Sequence, residues 1–188
     1  MNLPNSITLV RLFSVPVIVW LIIVDQMEAA FWVTFSAALS DALDGIIAKR
    51  FKMVSVLGGF LDPIADKALL VCVFIALGHE GYLPIWLVIL VVFRDILIIG
   101  GAVLFQTITQ SLEMRPLIVS KINTALQLLL LVLVLASEAF GSSLNLARYA
   151  LVYIVATTTF LSGLFYVFEW TKMASEMEKS DNQSRGDQ

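Results

Sequence analysis

Cysteine, histidine and charged residues are scarce in this sequence of 188 residues. The one cysteine, Cys72, excludes an internal disulfide, and its apolar surroundings favour a small buried side chain. The one histidine, His79, lies in a predicted loop, where an exposed imidazole is more common than a catalytic one. Charged residues make up only 14% of the chain and the net charge is -3, so the composition indicates no nucleic-acid partner.

Apolar residues, in contrast, dominate the chain. They make up 59% of it, and the mean hydropathy of +0.90 is far above that of a soluble domain. Apolar stretches that could each cross about 30 Å of hydrocarbon recur at residues 7–24, 29–47, 60–77, 83–108, 117–136 and 147–170. The sequence therefore predicts an all-α, polytopic integral membrane protein with six transmembrane helices. Residues 1–173 are predicted to form one membrane domain, and residues 174–188 a disordered polar cytoplasmic tail.

The basic residues predict how the chain is oriented. Three of them, Lys49, Arg50 and Lys52, fall between the second and third apolar stretches, and others flank the fifth stretch or follow the sixth. The connections on the other side offer only Arg148. By the positive-inside rule, both termini and the connection after the second stretch are predicted to be cytoplasmic.

Four aspartates lie on this predicted cytoplasmic side. Asp41 and Asp44 are three residues apart, and Asp62 and Asp66 are four apart, so each pair is predicted to share one helical face. An ionised carboxylate near a bilayer costs several kcal/mol unless it is paired or hydrated, and no matching basic cluster lies in the stretch. The spacing predicts a four-carboxylate site for a divalent metal such as Mg²⁺ or Mn²⁺, and hence phosphate chemistry.

Small residues accompany these carboxylates. Gly45 and Ala48 follow Asp41 and Asp44 by four residues each, and Gly58 precedes Asp62. Side chains of this size let a ligand approach the backbone. Simple packing against a neighbouring helix is the alternative interpretation.

Two further groups of polar residues are candidates for binding. Asn5, Thr8 and Arg11 recur every three residues and share a helical stripe, which favours a binding role; a helix cap at Asn5 and an Arg11 that reaches the interface are the alternative. The second group is predicted to bind the phosphate of a second substrate, with a topological or interfacial role as its alternative; it comprises Arg94, Arg115 and Lys121. Adjacent helical positions diverge, so Arg94 is not expected to pair with Asp95.

The pattern Asp41-x-x-Asp44-Gly45-x-x-Ala48-Lys49, followed after eight residues by Gly58-x-x-x-Asp62-x-x-x-Asp66, resembles the signature of the CDP-alcohol phosphatidyltransferases. The resemblance implies that two divalent ions, held by the four aspartates, bind the diphosphate of a CDP-linked donor and that CMP leaves. It also implies that Asp66 is the general base for the acceptor hydroxyl. The family usually has Arg at the position of Lys49, and Arg50 follows directly.

The same resemblance implies the partners of the chain. The expected donor is CDP-diacylglycerol, bound by the residues Asn5, Thr8, Arg11, Gly45, Ala48, Lys49, Arg50 and Gly58. The segments FRDILIIGG and RPLIVSKINTALQLLL resemble mitochondrial-type cardiolipin synthases, which favours phosphatidylglycerol as the acceptor; glycerol 3-phosphate, the acceptor of phosphatidylglycerophosphate synthases, is the alternative. A homodimer is expected, in the cell inner membrane or the mitochondrial inner membrane, with the site on the cytoplasmic or matrix side.

A transporter is the alternative from another class of protein. Intramembrane aspartates also mark ion pathways, so a divalent-cation or proton-coupled transporter fits the composition. Against it, the aspartates cluster towards one membrane face and the sequence has no detectable inverted repeat. Release of CMP from CDP-diacylglycerol would distinguish the enzyme from the transporter.

Overall fold

The computed structural model describes residues 3–51, 56–109, 118–141 and 144–186. Within these ranges it describes the side chains of residues 10–40, 65, 67–101, 118–141, 144–172 and 175. The described residues contain six helices and no strand, which confirms the all-α class. The helices are α1 (Leu3–Ile23), α2 (Met27–Phe51), α3 (Val56–His79), α4 (Ile85–Thr109), α5 (Ile118–Phe140) and α6 (Asn145–Gly186).

Short turns join these helices at one end of the bundle. Asp25 has a φ of 58° in the turn between α1 and α2, and Gly81 and Gly141 have φ values of 82° and 59° just after α3 and α5. A left-handed residue at these positions ends a helix and reverses the chain. Consecutive helices therefore run up and down, and the N-termini of α1, α3 and α5 lie at the other end of the bundle, together with the C-terminus of α2.

Three boundaries differ from those predicted by hydropathy. α2 continues to Phe51 and α3 begins at Val56, so Lys49 and Arg50 lie on the last turn of α2 and not in a loop. The apolar runs are shorter than the helices because Ala, Lys and Arg are good helix formers without being apolar enough to extend a span. α6 likewise continues to Gly186, past residue 174. The composition becomes polar from there on, and a disordered cytoplasmic tail at residues 174–188 stays a prediction.

The core lies where the helices cross. α1 packs against α2 and α3, α5 packs against α2 and α6, and α4 packs against α3 and α6. The fully buried apolar side chains come from all six helices and include Ile18, Ile22, Ala30, Phe74, Leu77, Leu87, Leu131, Leu135 and Val155. Because α1 contacts both α2 and α3, it holds the two helices that carry the aspartates in place.

The outer surface is also apolar. Phe13, Phe93, Tyr153 and Phe168 are each more than 60% exposed, on three different helices. Among the described side chains, two helical segments are long and apolar enough to cross a membrane, Ile118–Phe140 and Asn145–Lys172. An apolar surface of this extent indicates a lipid environment. Six membrane crossings stay a prediction.

Candidate active site

The four aspartates lie on two consecutive helices of the bundle. Asp41 and Asp44 are on the C-terminal part of α2, and Asp62 and Asp66 are on the N-terminal part of α3. The gap between Phe51 and Val56 is five residue steps, so their Cα atoms lie within about 19 Å of each other. The helical spacing on which the predicted metal site depends is therefore present in the backbone. The four carboxylates lie outside the described side chains.

The other residues of the signature lie on the same helices. Gly45, Ala48, Lys49 and Arg50 continue α2 beyond Asp44, and Gly58 lies in the first turn of α3. Their side-chain environments are outside the described part, as are those of Asn5 and Thr8 on α1. Among the described residues, no group of three or more His, Cys, Asp or Glu could hold a metal. The oxygen-rich donor set on α2 and α3 is still the kind that Mg²⁺ and Mn²⁺ prefer.

Arg11 lies deep in the bundle. Only 5% of it is exposed, although it is a cation on an otherwise apolar helix. It lines a cavity of about 320 Å³ between α1 and α2, together with the serines Ser14, Ser36 and Ser40. It also lines a smaller cavity of about 80 Å³ that Thr124 reaches from α5. A buried arginine that lines two cavities fits the predicted binding role of Arg11, which stays a prediction.

Arg94 and Asp95 form a buried ion pair, contrary to the expectation from their adjacency. Arg94 Nη1 donates to Asp95 Oδ1 over 2.7 Å, and each residue is 2% exposed. Adjacent Cβ atoms do diverge on a helix, but the arginine side chain is long enough to turn back, and a buried carboxylate is strongly stabilised by a cation. Arg94 Nη2 also donates to Ser120 Oγ over 2.6 Å and to Ser162 Oγ over 2.7 Å. The guanidinium thus joins α4 to α5 and α6.

Lys67 completes this cluster and was not among the residues predicted from the sequence. Its Nζ lies 2.7 Å from Asp95 Oδ1, so one carboxylate oxygen accepts from two cations. Lys67 directly follows Asp66 on α3. The signal that could have found it is Asp95, because an aspartate inside an apolar helix requires a basic partner on another helix.

Of the two remaining members of the predicted phosphate pocket, only one lies among the described residues. Lys121 is exposed on the first turns of α5, next to Ser120 of the Arg94 cluster. Arg115 lies outside the described residues. Further along, α5 is tied to α6 by a second buried polar contact, in which Thr158 and Thr159 each donate to Asn123 Oδ1 over 2.8 and 2.9 Å. Polar bonds between α5 and α6 therefore fix the helix that presents Lys121.

Comparison with known proteins agrees with the signature. The profile of the CDP-alcohol phosphatidyltransferase family matches residues 1–162. A cardiolipin synthase (CMP-forming) / mitochondrial hydrolase fusion protein of Schizosaccharomyces pombe is 36% identical over 180 residues, which cover 88% of this chain and 30% of that protein. A chloroplastic CDP-diacylglycerol--glycerol-3-phosphate 3-phosphatidyltransferase 1 of Oryza sativa subsp. japonica is 34% identical, over 92% of this chain and 58% of that protein.

A third relative is nearly the same length as the chain. The CDP-diacylglycerol--glycerol-3-phosphate 3-phosphatidyltransferase of Rickettsia typhi is 30% identical over 172 residues, which cover 88% of this chain and 94% of that protein. The chain thus spans less than two thirds of the first two relatives and almost all of the third. Because the family profile covers both acidic pairs, α1 and the Arg94 cluster, the chain belongs to the CDP-alcohol phosphatidyltransferase family.

Proposed function

We propose that the chain is a metal-dependent CDP-diacylglycerol:alcohol phosphatidyltransferase. In this reaction an acceptor hydroxyl oxygen forms a bond to the β-phosphorus of CDP-diacylglycerol, the phosphoanhydride bond breaks, and CMP leaves with the bonding electrons. The observation that carries the proposal is the family match over residues 1–162 together with the position of the signature aspartates on α2 and α3. The relatives are named for this transfer.

The aspartates have two roles in this proposal. Asp41, Asp44, Asp62 and Asp66 would hold two ions, Mg²⁺ or Mn²⁺, whose positive charge offsets the charge of the donor diphosphate. Asp66 accepts the proton of the acceptor hydroxyl. The roles rest on helical spacing and on the oxygen chemistry of the donor set.

Donor binding is proposed at the end of the bundle where α1 begins and α2 ends. Asn5, Thr8 and Arg11 would bind the nucleotide from α1, and Lys49 and Arg50 the diphosphate from α2. Gly45, Ala48 and Gly58 would leave space beside the backbone for the donor. The buried Arg11 and the hydroxyl-lined cavity beside it support this assignment.

The acceptor is proposed to be phosphatidylglycerol, which would make the product cardiolipin. Support comes from the resemblance of α4 and α5 to cardiolipin synthases and from relatives with that name. Arg94, Arg115 and Lys121 would bind the acceptor phosphate. For Arg94, direct binding requires that its bonds to Asp95, Ser120 and Ser162 be exchanged.

Glycerol 3-phosphate is the second candidate acceptor. It is favoured by the Rickettsia typhi relative, 94% of whose length is covered and whose name specifies that acceptor. Both candidates present a hydroxyl near a phosphate, so the same basic residues would suit either one. The two differ in their lipid chains, which a soluble acceptor lacks.

The membrane arrangement is part of the same proposal. Six helices would cross the inner membrane of a cell or a mitochondrion, with the aspartates on the cytoplasmic or matrix side, and two copies would form a homodimer. The exposed apolar side chains and the distribution of basic residues support the crossings and the orientation. The dimer rests on the family resemblance alone.

Product identification tests the proposal. Purified protein is incubated with CDP-diacylglycerol, Mg²⁺ and either phosphatidylglycerol or glycerol 3-phosphate, and the lipid product is identified by mass. Cardiolipin in the first mixture supports the proposal, and phosphatidylglycerophosphate in the second with no cardiolipin in the first supports the second candidate. If folded protein releases no CMP in either mixture, the proposed transferase activity is rejected and the transporter becomes the favoured hypothesis.

A further inference from the structure

Two cationic side chains, one on α3 and one on α4, donate to the same buried carboxylate oxygen. Asp95 Oδ1 accepts hydrogen bonds from Arg94 Nη1 and from Lys67 Nζ, both over 2.7 Å. The side chains of Arg94 and Asp95 are only 2% and 3% exposed, whereas that of Lys67 is 29% exposed. Lys67 is therefore the cation of this cluster that a substrate can reach.

Among the described side chains, the charges of the cluster do not balance. Two cations share one carboxylate, and the further partners of Arg94 are the neutral hydroxyls of Ser120 and Ser162. One formal positive charge is left over in a largely buried place, where an uncompensated charge is costly. An anion that contacts the accessible cation would offset this cost.

The bonding of Lys67 leaves it able to make that contact. An ammonium group has three N–H donors, and among the described residues Lys67 uses one of them, towards Asp95. Asp95 accepts at the same oxygen from Arg94, which α5 and α6 fix through two serines. The lysine is thus anchored at a defined point, with two donors available to a ligand.

The cluster also connects the two helices that carry the proposed base and a proposed acceptor ligand. Lys67 directly follows Asp66, the proposed base, on α3, and Ser120 directly precedes Lys121, a proposed ligand of the acceptor phosphate, on α5. The hydrogen bonds of Arg94 and Asp95 connect these two helices through α4. An acceptor bound beside Asp66 would place its phosphate within the reach of a cation on this path.

We propose that Lys67 is a further ligand of the acceptor phosphate and that Asp95 is a positioning residue that holds the Lys67 ammonium in place. The inference rests on the proposed function and adds to it a residue outside the predicted phosphate pocket. Arg94 also donates a hydrogen bond to Asp95 and so helps to hold its carboxylate in place. The phosphate is recognised by its charge, so both candidate acceptors would bind in the same way.

Steady-state kinetics of Lys67→Met test the ligand role. Loss of a charge-assisted contact raises the acceptor KM by about 10- to 100-fold and leaves the donor KM within about threefold of its normal value. Lys67→Arg, which keeps the charge, recovers part of the loss. Lys172→Met, which removes an exposed lysine on α6, is the matched control and leaves both constants unchanged.

Thermal unfolding distinguishes a ligand from a structural residue. Lys67→Met leaves Arg94 and Asp95 as a balanced pair, so its unfolding midpoint stays equal to that of the wild type or rises. A residue that served only the fold would lower the midpoint and reduce kcat without a selective rise in the acceptor KM. That result, or an equal rise in both KM values, would overturn the inference.

A double-mutant cycle tests the role of Asp95. Asp95→Asn weakens the hold on Lys67 and raises the acceptor KM when Lys67 is present, but adds little in the Lys67→Met background. Additive effects would show that Asp95 does not act through Lys67. If Asp95→Asn does not fold, Asp95→Glu takes its place in the cycle and gives the same two outcomes with a smaller amplitude.

A binding measurement separates this inference from the proposed function. Calorimetry with glycerol 3-phosphate, or with phosphatidylglycerol in nanodiscs, reports acceptor binding without the donor. Binding that is at least about 10-fold weaker in Lys67→Met than in the wild type supports the ligand role even where no turnover is found. Equal acceptor affinity in the variant and the wild type, or no acceptor binding to the wild type, would overturn the ligand role of Lys67. A wild type that binds the acceptor but releases no CMP would instead reject the proposed function.

Discussion

At the scale of single residues, the four aspartates of α2 and α3 are the groups on which the proposed chemistry depends. Replacing Asp41, Asp44, Asp62 or Asp66 by Ala is expected to lower turnover by at least about 100-fold, because each change removes a metal ligand or the base. CMP release from CDP-diacylglycerol measures the effect. The control is Glu80→Gln, which alters an exposed acid at the other end of the bundle.

Removal of the metal belongs to the same prediction. EDTA is expected to abolish CMP release, and added Mg²⁺ or Mn²⁺ to restore it, because both ions accept an all-oxygen ligand set. Full activity in two or more of the Ala variants, with the protein still folded, would show that the aspartates do not carry the chemistry.

Lys49 and Arg50 present a choice between two cations on the last turn of α2. Lysine lacks the planar fork with which arginine binds a diphosphate, so we expect that Arg50 supplies this grip. Lys49→Arg should then change the donor KM little, whereas Arg50→Ala should raise it. Kinetics with varied CDP-diacylglycerol give both values, and the reverse pattern would assign the diphosphate to Lys49.

At the scale of helices, α4 and α6 approach each other closely at one glycine. A Cβ atom added to Gly101 would lie 1.9 Å from Cη2 of Trp170, whereas one added to Gly100 would meet nothing within 4 Å. Trp170 of α6 therefore packs on α4. The glycine is required at residue 101 because the indole occupies the space of a side chain.

Two alanine substitutions at neighbouring glycines test this packing. Gly101→Ala is expected to lower the free energy of unfolding by about 1 to 3 kcal/mol through overpacking. Gly100→Ala, the matched control, should be neutral or stabilise α4 by up to about 1 kcal/mol, because Ala is the better helix former. Thermal unfolding in detergent compares the two variants, and equal midpoints would contradict the close contact.

At the scale of the whole molecule, a polar network joins the helix connections at the end opposite the aspartates. Arg148 Nη1 donates to Glu138 Oε1 over 2.8 Å, and Arg148 Nη2 donates to the carbonyl oxygen of Tyr82. The Tyr82 hydroxyl in turn donates to Asp25 Oδ1 over 3.0 Å. One arginine thus links the end of α5 and the start of α6 to the turn after α3, and Tyr82 continues the link to the turn after α1.

Loss of Arg148 should therefore loosen the bundle without touching the proposed site. Arg148→Ala is expected to lower the free energy of unfolding by about 1 to 3 kcal/mol, because Glu138 and the Tyr82 carbonyl lose a charged donor. The acceptor and donor KM values should stay unchanged at temperatures below unfolding. An unchanged unfolding midpoint would show that water replaces these bonds at no cost.

The same network makes stability depend on pH in the alkaline range. Burial raises the pKa of Tyr82 above its ordinary value of 10.0, and the hydrogen bond to Asp25 and the charges of Asp25, Glu138 and Glu80 add to the rise. The protonated phenol is therefore favoured in the folded state. Its contribution to stability is fully present below pH 10.0 and is lost as the pH rises through the raised pKa.

Unfolding midpoints measured between about pH 9 and about pH 11 test whether stability falls as the pH rises. The wild type should lose stability over this interval, and Tyr82→Phe, which has no phenol to ionise, should lose less. Tyr149→Phe is the control, since this tyrosine is exposed on α6. Parallel losses in the wild type and Tyr82→Phe would assign the pH dependence to other groups.

Much of the fold class and part of the site follow from the sequence. Apolar composition and length are local properties, so they predict helices, and each of the six predicted segments largely coincides with one helix of the described structure. The spacing of Asp41 and Asp44, and of Asp62 and Asp66, needs only a continuous helix, and α2 and α3 provide it. The burial of Arg11 agrees with its position three residues after Thr8 on an apolar helix. The low dielectric of the surrounding lipid favours a charged side chain inside the bundle over one that faces the lipid.

Only the tertiary structure decided which distant side chains meet. Lys67 and Asp95 are 28 residues apart and Arg94 and Ser162 are 68 apart, and no local pattern specifies these partners. Likewise, the space that Gly101 leaves is filled by Trp170 because α4 and α6 cross there. Periodicity fixes the face of a helix on which a residue lies, whereas the rotation and depth of that helix against its neighbours depend on the packing of all the helices together. The sequence therefore determined the helices and the spacing of the aspartates along them, and the packing decided that Lys67 faces accessible space while Arg94 is enclosed.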